Sequence, residues 1–520
     1  MRLPRCAGLL LHPTSLPGRF GIGDLGEWPR RLVDFLVAAG QSLWQVLPLG
    51  PTGFGDSPYA SFSARAGNAL LLDLGRLAEE GDLEGGELES PPPFPDDHVD
   101  YGRVIDFKTA LIARAAQRFR ERAGGERRAE FDRFCAAHAA WLDDYALFRA
   151  LKEAHGGAPW SQWEWELASR QPQALQAWRQ RLDEAVFRHR YAQFQFFRQW
   201  ADVRSYANAR GIRLVGDLPI FVAYDSAEVW AHPELFHLDE RLQPTVVAGV
   251  PPDYFSPTGQ LWGNPLYRWD AMAERGYAWW VDRVRQTLRT VDLLRLDHFR
   301  GFAAYWEIPA GETTAENGRW MKGPGAAFFE ALEEALGELP LIAEDLGLIT
   351  PDVEALRRRF DLPGMAVLQF AFATDATNTY LPHNLEPDRL VYTGTHDNDT
   401  TVGWHASLSR EERDHVRRYL GPVDEPVHWA LIRTAYRSVA GVAMAPLQDL
   451  LGLGSEGRMN APGEPRGNWS WRFRPDDLRP ELAEKLRDLA VTYGRKEVER
   501  KEGRDEQAEA LDYPFADDLP

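Results

Sequence analysis

The sequence predicts a (β/α)8 TIM barrel with large inserted, mainly helical subdomains. Three observations carry that prediction. Eight short apolar runs rich in β-formers recur along the chain, most of them ending in polar or glycine-rich loops. Amphipathic helical stretches lie between several of them, for example 278–288 and 326–336. Strands alternating with helices make parallel βα units, and eight such units close into a barrel. Finally, polar residues suited to catalysis gather just after these runs, where a barrel keeps its active site.

Taken in order, the run 7–11 leads into His12-Pro-Thr-Ser-Leu-Pro-Gly18, and 42–47 leads into Pro48-Leu-Gly-Pro-Thr-Gly53. The third, 213–215, delivers Gly216-Asp217-Leu-Pro219, and the fourth, 293–296, delivers Asp297. The fifth, 341–343, ends in Glu344-Asp345-Leu-Gly347. The sixth, 365–372, is longer. The seventh, 390–393, opens into Gly394-Thr-His396-Asp397-Asn398-Asp399, and the eighth, 442–447, ends in Gln448-Asp449. The stretch between Leu47 and Arg213 far exceeds what a crossover helix needs, so it must hold an inserted subdomain. Its second half is helical in pattern and dense in aromatics, from Trp141 and Tyr145 to Phe197 and Trp200, which reads as a helix-packing core. The expected organisation is one catalytic barrel over 1–500, with an insertion at about 50–205. Smaller active-site loop insertions fall at about 220–275 and 448–475, and a charged tail at 501–520.

Composition narrows the partners. With 520 residues and 44% hydrophobic content the chain can bury a substantial core. A net charge of −19 argues against nucleic acid and anionic membranes but is neutral towards an uncharged sugar polymer. The two cysteines, Cys6 and Cys135, lie far apart without a CxxC, giving no metal or redox signal. No HExxH, Walker loop or GxGxxG in a βαβ setting occurs, so no cofactor and no metal are expected. The N-terminal apolar stretch is too short for a signal-peptide core, and no run approaches the ~20 apolar residues of a membrane helix; cytoplasm is the expectation.

The run Asp292-Leu-Leu-Arg-Leu-Asp-His-Phe-Arg-Gly301 is the most informative. Strand side chains alternate, so Arg295 and Asp297 point the same way. A guanidinium beside a carboxylate favours its ionised form, which a glycosidic nucleophile requires. Retaining cleavage of an acetal also needs a second carboxyl with a raised pKa, to protonate the leaving oxygen. Glu344 suits that role, with Asp345 as its immediate rival. Asp397 could hold the hydroxyls of the distorted sugar ring and His396 could add a hydrogen bond, although the same residues also read as an Asx-turn. A hydrolytic or branching enzyme would keep the same carboxylates. A silent glucan-binding protein would be expected to lose at least one, and a structural helical repeat would need none.

These motifs resemble those of the α-amylase superfamily. The match tightens at Ser57-Pro-Tyr59 within 55–68, at His12-Pro-Thr-Ser-Leu-Pro17, at Val250-Pro-Pro-Asp-Tyr-Phe-Ser-Pro-Thr-Gly-Gln-Leu-Trp-Gly-Asn-Pro265, and at Arg458-Met-Asn-Ala-Pro-Gly463 with Gly467-Asn-Trp-Ser-Trp471. Over about 7–500 the chain is similar to the amylomaltases, or 4-α-glucanotransferases, of glycoside hydrolase family 77. The resemblance implies Asp297 as nucleophile, Glu344 rather than Asp345 as acid/base, and Asp397 as transition-state stabiliser. It further implies substrate contacts from Tyr59, Asp217, Trp262, Arg295, His396 and Asn468, and a barrel with no C-terminal β-sandwich. The implied substrates are malto-oligosaccharides and α-1,4-glucans, with no obligate protein partner. A transferase must also keep water from its intermediate, and Tyr59, Tyr254, Phe255 and Trp262 are the candidate aromatic covers.

Overall fold

A computed structural model describes residues 4–252, 256–347, 349–422, 424–464 and 466–496. Eight strands form one parallel sheet in chain order: β1 (Cys6–Leu10), β2 (Leu43–Gln45), β3 (Arg213–Leu218), β4 (Leu293–Leu296), β5 (Leu341–Ala343), β6 (Gly364–Val367), β7 (Arg389–Tyr392) and β8 (Val442–Pro446). β8 returns to β1, with Cys6 opposite Val442. The sheet closes between β5 and β6, where the Ala343 N–H donates to Pro363 O at 2.9 Å. All eight strands fall on the eight apolar runs of the sequence. The sixth run is shorter as a strand, because the chain turns into a 3-10 helix at Leu368–Phe370 and aims the Gln369 amide at Asp399 O (2.8 Å).

The barrel interior is filled by Cys6, Leu43, Val215, Leu293, Ile342, Met365, Leu390, Val442 and Met444. Gly8 makes room there; a Cβ at this position would lie 2.6 Å from Leu43 Cβ and 2.7 Å from Met444 Sδ. Alternation then sets the mouth of the barrel. Residues two beyond an inward apolar one also face inward, which puts Asp217 above Val215, Arg295 and Asp297 above Leu293, and Glu344 above Ile342.

Helices Tyr101–Arg122, Gly125–Ala154 and Asp183–Asn208 dominate the stretch between β2 and β3. Their aromatics pack on one another: Trp141, Tyr145, Phe148, Tyr191, Phe194, Phe196 and Trp200 are all buried. Burial of such rings is the main force holding this layer together. A second, four-stranded antiparallel sheet joins Gln260–Pro265, Val246–Val250, Ala304–Pro309 and Arg319–Lys322 in that order. The sequence reading did not foresee it. Gln260–Pro265 is mostly exposed and contains Gly263 and Pro265, so it lacks the alternation that marks a half-buried strand. Among the described residues no helix is long and apolar enough to cross a membrane. The charged tail 501–520 lies outside the described residues.

Candidate active site

The floor of the cleft is set by strand register. Asp217 on β3 lies directly across from Arg295 on β4, so both side chains point into the mouth together. Arg295 Nη2 donates to Asp217 Oδ2 at 2.7 Å and to Asp297 Oδ1 at 2.9 Å. The Tyr59 hydroxyl donates to the same Asp217 oxygen at 2.6 Å. One guanidinium therefore serves two carboxylates, with the Asp217 and Arg295 side chains almost wholly buried. This changes the simple expectation for Asp297. Burial raises its carboxyl more than Arg295 lowers it; the charges of Asp217 and Asp397 push the same way as burial, and the result is about 6. It is still ionised at neutral pH, but it is a destabilised carboxylate rather than a comfortable one.

Glu344 tops the adjacent strand. Its N–H donates to Leu296 O and its O accepts from Phe299 N–H, each at 3.0 Å, so the turn after β4 wraps around it. Its Oε2 accepts the His298 N–H at 2.8 Å. Burial, then the neighbouring charge of Asp297, hold its carboxyl well above the usual carboxylate range. Asp345 faces the other way. It pairs with Arg389, approaches Arg357 Nε at 3.3 Å and accepts the Met365 N–H at 2.7 Å, binding β5 to β6 and β7. Ile342 points inward, so Glu344 must as well, and Asp345 must point out.

Asp397 follows β7. Asn398 Oδ1 accepts both the Thr395 N–H (2.9 Å) and the Thr395 hydroxyl (2.8 Å), reaching back three residues to close the loop. Asn398 closes the loop, and Asp397 is left open to the cleft with 48% of its side chain exposed. Asn460 Nδ2 donates to Asp397 Oδ1 at 2.6 Å, His396 Nε2 lies 3.3 Å from Oδ2, and Arg458 donates to the Asp397 carbonyl at 2.7 Å. Packing against protein raises this carboxyl, but His396, Asn460 and Arg295 together outweigh that and hold it below the usual range. The His396 ring stacks on Tyr59, centroids 5.1 Å apart, and leans on Trp469 at 5.8 Å.

Six of the nine site residues read from sequence thus share one hydrogen-bonded or stacked cluster, Tyr59, Asp217, Arg295, Asp297, His396 and Asp397, and Glu344 is tied to it by the charge of Asp297. Trp262, on strand Gln260–Pro265, is 38% exposed and meets the His298 ring edge-on at 4.9 Å. Asn468 spends its amide on its own loop, accepting from Ala461 N–H (2.9 Å) and donating to Glu464 O (2.8 Å). Tyr254 and Phe255 lie outside the described residues. Sequence reasoning missed Asn460, Arg458, Trp469 and the His298 peptide. The first three sit within the distinctive 458–471 pattern, but nothing in their spacing ties them to Asp397. Among the described residues no group of three or more His, Cys, Asp or Glu could hold a metal.

The glycoside hydrolase family 77 profile, described as 4-alpha-glucanotransferase, matches residues 11–478. A 4-alpha-glucanotransferase from Synechocystis is 54% identical over 496 residues, covering 95% of this chain and 98% of that protein. One from Thermus thermophilus is 54% identical over 498 residues, covering 94% and 99%. Among solved structures, an amylomaltase from Streptococcus agalactiae in complex with acarbose superposes with a TM-score of 0.92 at 38% identity, covering 95% of this chain and all of that one.

Proposed function

Since the chain belongs to the 4-alpha-glucanotransferase family and is a glucan-transferring enzyme, we propose that it works by a retaining double displacement. It would move α-1,4-glucan segments from a donor malto-oligosaccharide to the 4-hydroxyl of an acceptor glucan or glucose. The observation that carries this reading is the pair of cleft-facing carboxyls atop β4 and β5. One is bound by a guanidinium, and the other is raised well above the usual carboxylate range by burial and the charge of Asp297.

In the first step an Asp297 oxygen attacks C1 of the donor. The C1–O4 bond breaks, and the Glu344 proton goes to the departing O4. In the second, the Glu344 carboxylate takes the proton of the acceptor's 4-hydroxyl as that oxygen attacks C1 and Asp297 leaves. Asp397 would hold ring hydroxyls most strongly when the ring flattens towards an oxocarbenium ion. Its low carboxyl pKa suits a group that must stay ionised throughout. Tyr59 and His396 would offer a stacked wall, with Asp217 and Arg295 beneath, Trp262 at the rim and Asn468 shaping the opposite loop. No cofactor or metal enters these steps.

On this reading 1–500 is one catalytic unit, with the insertions at about 50–205, 220–275 and 448–475 shaping the cleft. It would act in the cytoplasm, on maltodextrin or glycogen-derived chains. A product ladder from pure maltotriose tests the reading. Glucose together with oligomers longer than the trimer supports transfer. Glucose and maltose alone would make water the acceptor and reassign the chain as a hydrolase.

A further inference from the structure

His298 follows Asp297 in the chain and its backbone N–H bonds Glu344, yet it is not one of the residues expected to touch sugar. Its backbone is left-handed, with φ at +50°, a conformation that costs a residue with a Cβ of order 1–3 kcal/mol unless its surroundings enforce it. Three contacts do so. The His298 carbonyl accepts the Gly301 N–H at 2.9 Å. The ring lies over Gly301, where an added Cβ would approach His298 Cδ2 to 3.2 Å. Trp262 meets the ring edge-on from the other side. What this strained turn achieves is the placement of one peptide N–H, 2.8 Å from Glu344 Oε2.

We infer that His298 is a positioning residue for Glu344: its left-handed peptide N–H fixes Oε2 as an acceptor and leaves Oε1 as the oxygen that carries and transfers the proton. The reason is the donor and acceptor inventory of a carboxyl. In the protonated acid one oxygen is a carbonyl that accepts, and the other is a hydroxyl. An N–H aimed at Oε2 favours the carbonyl there, so the proton sits on Oε1. In the return step the same N–H favours the carboxylate, and Oε1 takes the proton back. Burial keeps the imidazole neutral, pushed down to about 4, so the ring adds no cation that would deprotonate Glu344 prematurely. This inference rests on Glu344 being the acid/base.

The test separates backbone from ring. H298G and H298N drop the imidazole but tolerate positive φ; H298V keeps a side chain but is forced out of it. With maltotriose as donor, H298V is expected to lose about 100-fold in kcat with KM changed less than threefold. H298G and H298N should stay within about tenfold of the parent. The alkaline limb of H298V should move to higher pH, because the lost N–H favoured the ionised form. An α-maltotriosyl fluoride donor needs no acid for its leaving fluoride, and azide as acceptor needs no base. With that pair H298V should recover to within a few fold of the parent. Equal failure of all three variants, or no recovery with fluoride and azide, overturns the inference. If H298V does not fold, H298A replaces it with an expected loss of about tenfold. Glu344→Ala is the control on the underlying reading: if fluoride and azide fail to rescue it, the acid/base assignment itself is wrong. If they rescue it but not H298V, only the role of His298 is.

Discussion

Replacing Asp297 by Asn should remove activity and make the protein more stable, in a pH window fixed by the site. In the folded chain the Asp297 carboxyl is raised from 3.8 to about 6, because burial outweighs the pull of Arg295. The unfolded chain ionises at the ordinary value. Between these two values the folded state binds more protons, so wild-type stability falls as pH rises through about 4 to 6 and stays lower above that. At about 1.4 kcal/mol for each factor of ten, the ceiling is about 3 kcal/mol. The side chain is 29% open to the cleft, and water there reduces the figure to about 1–2 kcal/mol. Asparagine keeps an amide oxygen for Arg295 while removing the charge, and it also relieves Glu344, which the Asp297 charge pushes up. D297N should therefore exceed wild type by about 1–2 kcal/mol at pH 7.5 and converge with it near pH 4. Transfer from maltotriose should fall by about a thousandfold or more. Paired denaturant or thermal unfolding at the two pH values measures the difference, in which titrations that do not feel the Asp297 charge cancel. A D297N protein no more stable than wild type at pH 7.5, or a gain of the same size at both pH values, would refute the reasoning.

Two further tests rest on the same geometry, and a third rests on the sequence alone. E344Q should abolish transfer with little change in unfolding, whereas D345A should retain the chemistry per folded molecule but lose roughly 3 kcal/mol of stability. The latter leaves the buried Arg357 and the half-buried Arg389 without their shared carboxylate. N460A removes the 2.6 Å donor to Asp397; kcat should drop roughly tenfold to a hundredfold, and the acid limb of the pH profile should move up as the Asp397 carboxyl loses a bond to its charged form. The double variant Y254A/F255A should raise free glucose relative to chain-exchange products, if these aromatics keep water from the intermediate; an unchanged ratio in the maltotriose ladder would discard that role.

What the sequence disclosed and what it withheld divide along a physical line. Barrel strands are buried on both faces, so each reads as a short unbroken apolar run, and all eight were legible. Period-two alternation carried the argument further: it put Arg295 and Asp297 on one face, but the choice of Glu344 over Asp345 stayed open until the family resemblance, because which residue of β5 faces inward shows only once Ile342 is seen in the barrel interior. Exposure hid the rest. The antiparallel sheet around Gln260–Pro265 has no buried face along that strand to imprint a pattern. Asn460 reaches Asp397 from a loop after β8, a contact that no local spacing encodes. The contribution of His298 comes from a peptide N–H and a positive φ, neither of which belongs to a residue type. Net carboxyl pKa values were also out of reach. Arg295 was visible beside Asp297, but its division between Asp297 and Asp217 depends on the register of β3 against β4.

That division bears on why such a site would favour transfer. On the proposed mechanism glycosylation would neutralise Asp297, since its oxygen would become an ester. The same burial that raises its pKa therefore favours the covalent intermediate over the free carboxylate. Arg295 does not lose its counter-ion when this happens, because Asp217 still accepts from it at 2.7 Å and is itself held by Tyr59. A nucleophile paired exclusively with one arginine would instead leave an uncompensated buried cation on glycosylation, and hydrolysis would be pulled forward to restore the pair. On the proposed mechanism, sharing the guanidinium lengthens the life of the intermediate and gives a glucan 4-hydroxyl time to displace water. The measurable consequence is that D217N, which leaves Arg295 wholly dependent on Asp297, should lower the acid limb of the pH profile and shift the product ladder towards free glucose. A D217N enzyme with both unchanged would show that the second carboxylate plays no part in the partition.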